Sequence, residues 1–86
     1  MPIICVFFGI VIRMFYDDHN PPHIHVEYQE SKVLLDFRGN ILKGDLRSRT
    51  ALKLVREWID LRCDELLENW ELAKLGKEIK MIDPLQ

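Results

Sequence analysis

The sequence predicts an α+β domain, in which an antiparallel β-meander of three to five strands packs against one bent helix or two consecutive C-terminal helices. Two observations predict this fold class. The first half of the chain contains short runs of branched and aromatic residues separated by turn residues. The stretch 47–75 contains no glycine or proline, and its apolar residues recur at three- and four-residue steps. Strands followed by a helical run are typical of an α+β arrangement of layers.

Five segments of the first half are candidate strands. They are Ile3 to Phe8, Ile10 to Tyr16, His23 to Tyr28, Lys32 to Phe37 and Ile41 to Lys43. The polar break at 29–31 has the length of a hairpin loop, and Gly39 marks a further turn. Because one glycine cannot reverse the chain as an ordinary hairpin does, we expect a bulge or bend at Gly9.

The helical stretch is long for a single globular helix. Asp64, followed by Glu65, is a suitable N-cap for a second helix, so we expect a kink or break near residue 63. Gly76 is a natural terminator, and we expect the tail 77–86 to be extended and to dock on the domain. We therefore predict one domain over 1–86. Its meander covers 3–43 and its helical part 47–75.

Length and composition narrow the classes of function. A chain of 86 residues has a small core, so a protein partner or a homodimer is a ready source of further buried surface. The formal charge of −2 leaves nucleic acid open as a partner but does not favour it.

Location is predicted from the cysteines and from the apolar runs. Two cysteines far apart in sequence indicate reduced, buried thiols in the cytoplasm. The chain starts without the basic segment of a signal peptide, and its longest apolar run, Ile3 to Ile12, is too short to cross a bilayer. We expect a cytoplasmic protein without a membrane partner.

Chemistry concentrates between Asp17 and Tyr28, which hold all three histidines and two of the four prolines. Strand alternation puts the side chains of His23, His25 and Glu27 on one face and the apolar residues between them on the core face. The residues before His23 form a polar turn that the prolines stiffen.

Neighbouring strands can add to this face. Arg13 lies between apolar residues of the preceding strand, and Asp36 lies at the end of the following one. Hairpin pairing would make both of them cross-strand neighbours of His25 and Glu27.

One hypothesis for these residues is a metal site. Imidazole and carboxylate both bind divalent metals. The backbones of two histidines at alternate positions of a strand lie about 7 Å apart, and at this spacing both rings can reach one ion. We expect no organic cofactor and leave a divalent metal open. The candidate metal ligands are Asp18, His19, His23, His25 and Glu27.

A second hypothesis is acid–base chemistry on a phosphate. A histidine can transfer protons near neutral pH while an arginine stabilises negative charge. The candidate catalytic residues are Arg13, His19, His23, His25 and Glu27. A purely structural turn and strand, or a face that contacts a protein partner, explains the same residues, so the sequence leaves open whether the protein is an enzyme.

Positive charge gathers at the start of the helical stretch. The residues are Arg47, Arg49, Lys53 and Arg56. The helix dipole favours acidic residues at the start of a helix, so positive charge at this position is opposite to its preference. These cations can serve a phosphate or an acidic partner, or they can form a solvated face.

Several strings carry a family resemblance. They are the run from Gly9 to Tyr28, which includes DDHNPPHIHVEY, and then GDL at 44–46, EW at 57–58, DELLENW at 64–70 and IDPL at 82–85. With these strings the chain resembles the bacterial family of domain of unknown function 4160. The resemblance implies a small cytoplasmic protein encoded beside another small protein, as in toxin–antitoxin pairs. It implies no catalytic residue.

Together these observations favour a small cytoplasmic protein-interaction module, one component of a toxin–antitoxin-like pair. The alternative is a histidine- or metal-dependent nuclease or phosphoesterase that uses the segment DDHNPPHIHVE.

Overall fold

The computed structural model describes residues 2–16 and 19–85 and contains one sheet and one long helix. The elements in chain order are β1 (Ile3–Phe7), β2 (Ile10–Arg13), β3 (His23–Tyr28), β4 (Ser31–Asp36), β5 (Ile41–Asp45) and α1 (Arg49–Lys74). All neighbouring strands are antiparallel, in the order β1-β2-β3-β4-β5. The predicted α+β meander is confirmed with its full number of strands.

The turn between β1 and β2 differs from the prediction. We expected Gly9 to form a bulge or bend, but Phe7 pairs with Ile10 in an ordinary hairpin. Phe8 shares the reversal with Gly9, and both have positive φ angles, of 50° and 76°. Hairpins with two-residue loops favour such angles because their twist matches that of the strands. A bulky residue rarely adopts this conformation, so sequence patterns do not reveal the turn.

One face of the sheet, which we call the inner face, forms the core with α1. Alternate strand residues point to this side, among them Ile12, Ile24 and Leu35, and none of these three is exposed. They cluster with the apolar stripe of the helix, including Val55 and Trp58. Each such side chain contributes about 1.5–3 kcal/mol by leaving water, which makes this face the main source of stability.

The helical part is a single helix with a kink, which is one of the two forms that the sequence predicted. Ser48 caps it, because its extended backbone (φ −145°, ψ 114°) lets the hydroxyl accept a 3.1 Å hydrogen bond from the Ala51 N–H. Arg62 departs from helical angles (φ −111°, ψ 18°), next to the predicted break at residue 63. Gly76, with a φ of 70°, ends the helix. Among the described residues, no helix has both the length and the apolarity that a membrane crossing requires.

The tail after α1 lies against both the sheet and the helix. The Ile82 N–H donates a 2.8 Å hydrogen bond to the Ile4 carbonyl at the edge of β1. The buried Asn69 side chain exchanges two hydrogen bonds with the Lys80 backbone, of 2.7 and 3.1 Å. Trp58 Nε1 donates to the Asp83 carbonyl at 2.8 Å. The tail therefore closes one end of the core and covers the β1 edge.

Both cysteines are free thiols, Cys5 buried and Cys63 half-buried. Burial raises the pKa of the Cys5 thiol, and hydrogen bonding and the nearby Arg62 offset only part of this rise. A thiol with a raised pKa is a poor nucleophile, so Cys5 acts as a core residue.

Candidate functional site

The face of the sheet opposite α1, which we call the outer face, brings together the residues that the sequence singled out. Two rows of side chains cross all five strands on this face, because each strand pair is in register there. The first row contains Ile3, Arg13, His25, Leu34 and Lys43. The second row contains Val6, Val11, Glu27, Lys32 and Asp45.

An ion pair joins the two rows. Arg13 Nε donates to Glu27 Oε2 at 2.9 Å, and the two side chains are 21% and 30% exposed. Arg13 also lies directly opposite His25 in the register of β2 and β3. The predicted gathering of these three residues on one face agrees with the structure. A half-exposed pair contributes little to stability, but it fixes the orientation of both charged groups.

His25 lies beside a depression in the outer face. Its imidazole is half-buried, and the ring of Phe15 meets it edge-on with the centroids 4.3 Å apart. The depression has a volume of about 350 Å³. Its lining comprises Phe15, His25, Val26, Glu27, Lys32, Val33, Leu34, Lys43 and Gly44. An apolar floor with an imidazole, a carboxylate and two ammonium groups can hold an apolar side chain together with an acidic group.

His23 differs from His25 although strand alternation places both on one face. Its side chain is only 6% exposed, and Nδ1 lies 2.8 Å from the Pro21 carbonyl oxygen. Because a carbonyl only accepts hydrogen bonds, this nitrogen donates its proton. The His23 ring lies between His25 and Trp70, with centroid distances of 5.1 and 5.5 Å. His23 therefore connects the outer face to the core rather than lining the depression.

Asp36 does not join the charged cluster. It lies opposite His23 in the register, but its carboxylate accepts hydrogen bonds from the Arg38 and Asn40 N–H groups at 2.8 and 2.9 Å and from Asn40 Nδ2 at 3.1 Å. Partial burial raises the pKa of Asp36, but these hydrogen bonds and the Arg38 charge outweigh it and lower the pKa. The residue stabilises the turn between β4 and β5.

The metal hypothesis stays a prediction. Within residues 2–16 and 19–85, no three histidine, cysteine or acidic side chains are arranged to hold a metal ion. His19 is exposed, and His23 and His25 are adjacent as described above. Asp18, one of the predicted ligands, lies outside the described residues, as does Asp17.

Sequence reasoning missed several residues of this face. Phe15 and Leu34 form the apolar floor beside His25, and Lys32 and Lys43 add its positive charge. Strand alternation signals which side each of them faces. The pairing of Leu34 with both His25 and Lys43 depends on the exact register, which the pattern alone does not fix.

Comparison with known proteins identifies the family. No curated protein and no solved structure matches this chain. The family model described as "Domain of unknown function (DUF4160)" matches residues 9–71, which include β2 to β5 and most of α1. The expected resemblance is thereby confirmed, and the chain belongs to the DUF4160 family.

Proposed function

We propose that this protein is a small cytoplasmic protein-interaction module, one component of a toxin–antitoxin-like pair, and that it binds its partner through the outer face. One observation carries the proposal. The helix covers only the inner face of the sheet, while the outer face leaves Ile3 38% and Val6 51% exposed. Val6 lies opposite Val11 in the register, so apolar side chains adjoin one another on this face, and a contiguous apolar patch is typical of an interaction surface.

The distribution of polarity on the outer face supports a protein partner. Both rows begin with an apolar residue on β1, Ile3 or Val6, and charged residues gather on β4 and β5, where Lys32, Lys43 and Asp45 lie. Protein interfaces likewise combine apolar and charged contacts. The matching partner surface has an apolar patch with an acidic group beside it, facing the two lysines.

The edges of the sheet also favour docking on the face. The tail covers the β1 edge through the hydrogen bond between Ile82 and Ile4. At the other edge, Gly44 has a φ of 90° and the register shifts between Leu34 and Leu35. Irregular or covered edges do not pair readily with a strand from another protein. The outer face is therefore a more suitable docking surface than either edge of the sheet.

Co-expression with the product of the neighbouring gene tests the proposal. We expect a complex by size-exclusion chromatography and a growth phenotype that depends on both genes. Val6→Arg puts a charge in the apolar part of the outer face and should abolish the complex. Leu61→Arg is the matched control, because Leu61 is 62% exposed on α1, away from this face.

Two outcomes would contradict the proposal. If neither a complex nor a growth phenotype is found with the wild-type chain, the interaction module loses its basis. If Leu61→Arg abolishes the complex and Val6→Arg does not, the partner binds elsewhere.

The depression beside His25 supports a second candidate, a histidine- or metal-dependent nuclease or phosphoesterase. Imidazole can transfer a proton, while Lys32 and Lys43 can stabilise the charge of a phosphate in the same depression. His25→Ala should then abolish the cleavage of a phosphodiester, such as bis(p-nitrophenyl) phosphate, with no change in melting temperature. Hydrolysis no faster than in buffer, with or without added zinc or manganese, would exclude this candidate.

A further inference from the structure

A second concave surface, which we call the basic groove, lies between the first half of α1 and the turn after β4. It has a volume of about 700 Å³. Four cations line it together with one apolar and two acidic residues: Arg38, Arg49, Lys53, Arg56, Leu52, Glu57 and Asp60. The groove is separate from the outer face, because no residue lines both the groove and the depression beside His25.

The cations of the groove are arranged unfavourably for the isolated chain. Arg49 and Lys53 are four residues apart on α1, and Lys53 and Arg56 are three apart, so like charges are neighbours on one helix face. The first turn of the helix contains no acidic residue, although the helix dipole favours one there. A bound anionic group would relieve both effects.

Among the described residues, none of these cations lies within ion-pair distance of a carboxylate. Among the arginines and lysines of that part of the chain, ion pairs join Arg13 to Glu27, Arg62 to Glu65 and Lys80 to Glu68. All of them lie outside the groove. The charge of Arg38 acts on Asp36, so Arg49, Lys53 and Arg56 are the cations of the groove that remain available to a ligand.

Arg56 is held in place at the wall of the groove. Its Nε–H donates a 2.9 Å hydrogen bond to the Gly39 carbonyl. A Cβ at Gly39 would lie 3.1 Å from Arg56 Cγ, so the absence of a side chain there lets the arginine lie close to the turn. A guanidinium fixed through Nε still has its other N–H groups, which suit a carboxylate.

The order of charges in the groove indicates what it binds. Arg49, Lys53 and Arg56 extend over about 10 Å of helix, and Glu57 and Asp60 continue the same lining. A nucleic acid backbone is negative throughout and would be repelled by these two carboxylates. A peptide with acidic residues followed by a basic one matches both parts of the groove, and Leu52 offers an apolar contact between them.

We propose that the basic groove binds an acidic peptide segment that has basic residues at one end, and that the protein partner supplies this segment. The inference rests on the proposed function as an interaction module, and it adds a second contact of defined charge. It does not depend on the outer face.

The test uses the full chain and a synthetic probe, a fluorescent peptide of four glutamates followed by two lysines. Binding is followed by fluorescence anisotropy at low ionic strength and again at about 0.15 M salt, where it should weaken because the contacts are exposed to solvent. Arg49→Glu should weaken binding about tenfold or more, since it replaces an attractive charge by a repulsive one. Lys77→Glu is the control, because it makes the same charge change beyond the end of α1.

Melting temperature provides a second readout. Arg49→Glu should raise it, because an acidic residue then occupies the first turn of the helix. Weaker binding by a chain that is at least as stable supports a binding role and is not explained by unfolding.

Three results would overturn the inference: no binding by the wild-type chain, equal losses in Arg49→Glu and Lys77→Glu, or tighter binding of a single-stranded DNA of the same length. If the groove fails in this way while the partner still forms a complex that Val6→Arg abolishes, the proposed function stands without the inference. If the peptide binds as expected but no partner complex forms, the proposed function fails instead.

Discussion

Adjacent residues of β2 lie in two different environments. Ile12 points to the inner face and has no exposed surface, whereas Val11 and Arg13 point to the outer face and are half-exposed. On β3, Ile24 and Val26 are buried against the helix, and His25 between them lines the depression. The same strands thus hold the core together on one side and present a polar and apolar surface on the other.

If the outer face has the proposed function, this difference separates the residues that stabilise the fold from those that bind the partner. A substitution on the inner face leaves a cavity in a packed core, and the free energy of unfolding falls. A substitution on the outer face changes contacts with water and with the proposed partner, but few contacts within the fold. Variants of neighbouring residues can therefore test whether the two faces have separate roles.

The largest effect is expected on the inner face. Ile12→Ala should lower the free energy of unfolding by about 2–5 kcal/mol. Val11→Ala, on the adjacent position, should cost about 1 kcal/mol or less. Urea denaturation followed by circular dichroism measures both. Equal losses would mean that the outer face is also part of the core.

The closure of the inner face by the tail is the next test. Asn69→Ala removes both hydrogen bonds to the Lys80 backbone and should cost about 1–3 kcal/mol. The tail should also become more sensitive to a protease. An unchanged melting temperature together with an unchanged digestion pattern would show that the tail adds nothing to the core.

Asp36 is the last residue of β4 and lies next to the turn that connects β4 to β5. The pKa of Asp36 is lower in the folded than in the unfolded chain, so its ionised carboxylate stabilises the fold at any pH above the unfolded-state pKa. This contribution is lost below about pH 4, as the pH falls through the pKa that Asp36 has in the folded chain. Asp36→Asn should cost about 1 kcal/mol at neutral pH.

The same variant changes the dependence of stability on pH. Asp36→Asn should lose less stability than the wild type when the pH is lowered through this range. Melting temperatures of both chains from pH 7 to pH 3 measure the effect. If the two plots of melting temperature against pH are parallel, the hydrogen bonds of Asp36 do not lower its pKa.

The smallest effect on stability is expected for the outer ion pair. Arg13→Ala should cost between about 0 and 1 kcal/mol, because the pair with Glu27 is partly solvated. It should nevertheless weaken the partner complex, which a pull-down at fixed concentrations can measure. A large loss of stability with no change in binding would reverse the roles assigned to the two faces.

The fold could largely be predicted from the sequence because its patterns are local. Alternation along β3 separates Ile24 and Val26 from His25, and the helical steps of Val55 and Trp58 mark the covered side. The conformation of Phe8 could not be predicted, because a positive φ at a bulky residue is determined by the pairing of β1 with β2.

The candidate site was predicted only in part. Alternation correctly placed Arg13, His25 and Glu27 on one face. It could not show that Trp70 covers His23, because that contact joins the start of β3 to the end of a helix far along the chain. It also could not show that turn hydrogen bonds withdraw Asp36 from the cluster. Such contacts depend on tertiary packing, which local patterns do not encode.

Methyl NMR on the partner complex tests the central claim most directly. Valine and leucine methyl groups are labelled in this protein, and the unlabelled product of the neighbouring gene is added. If the partner binds the outer face, the methyl signals of Val6, Val11 and Leu34 change most, while those of the buried Val26 and Leu35 stay nearly constant. If the changes are confined to exposed leucines of α1, such as Leu61 and Leu67, the outer face is not the interface.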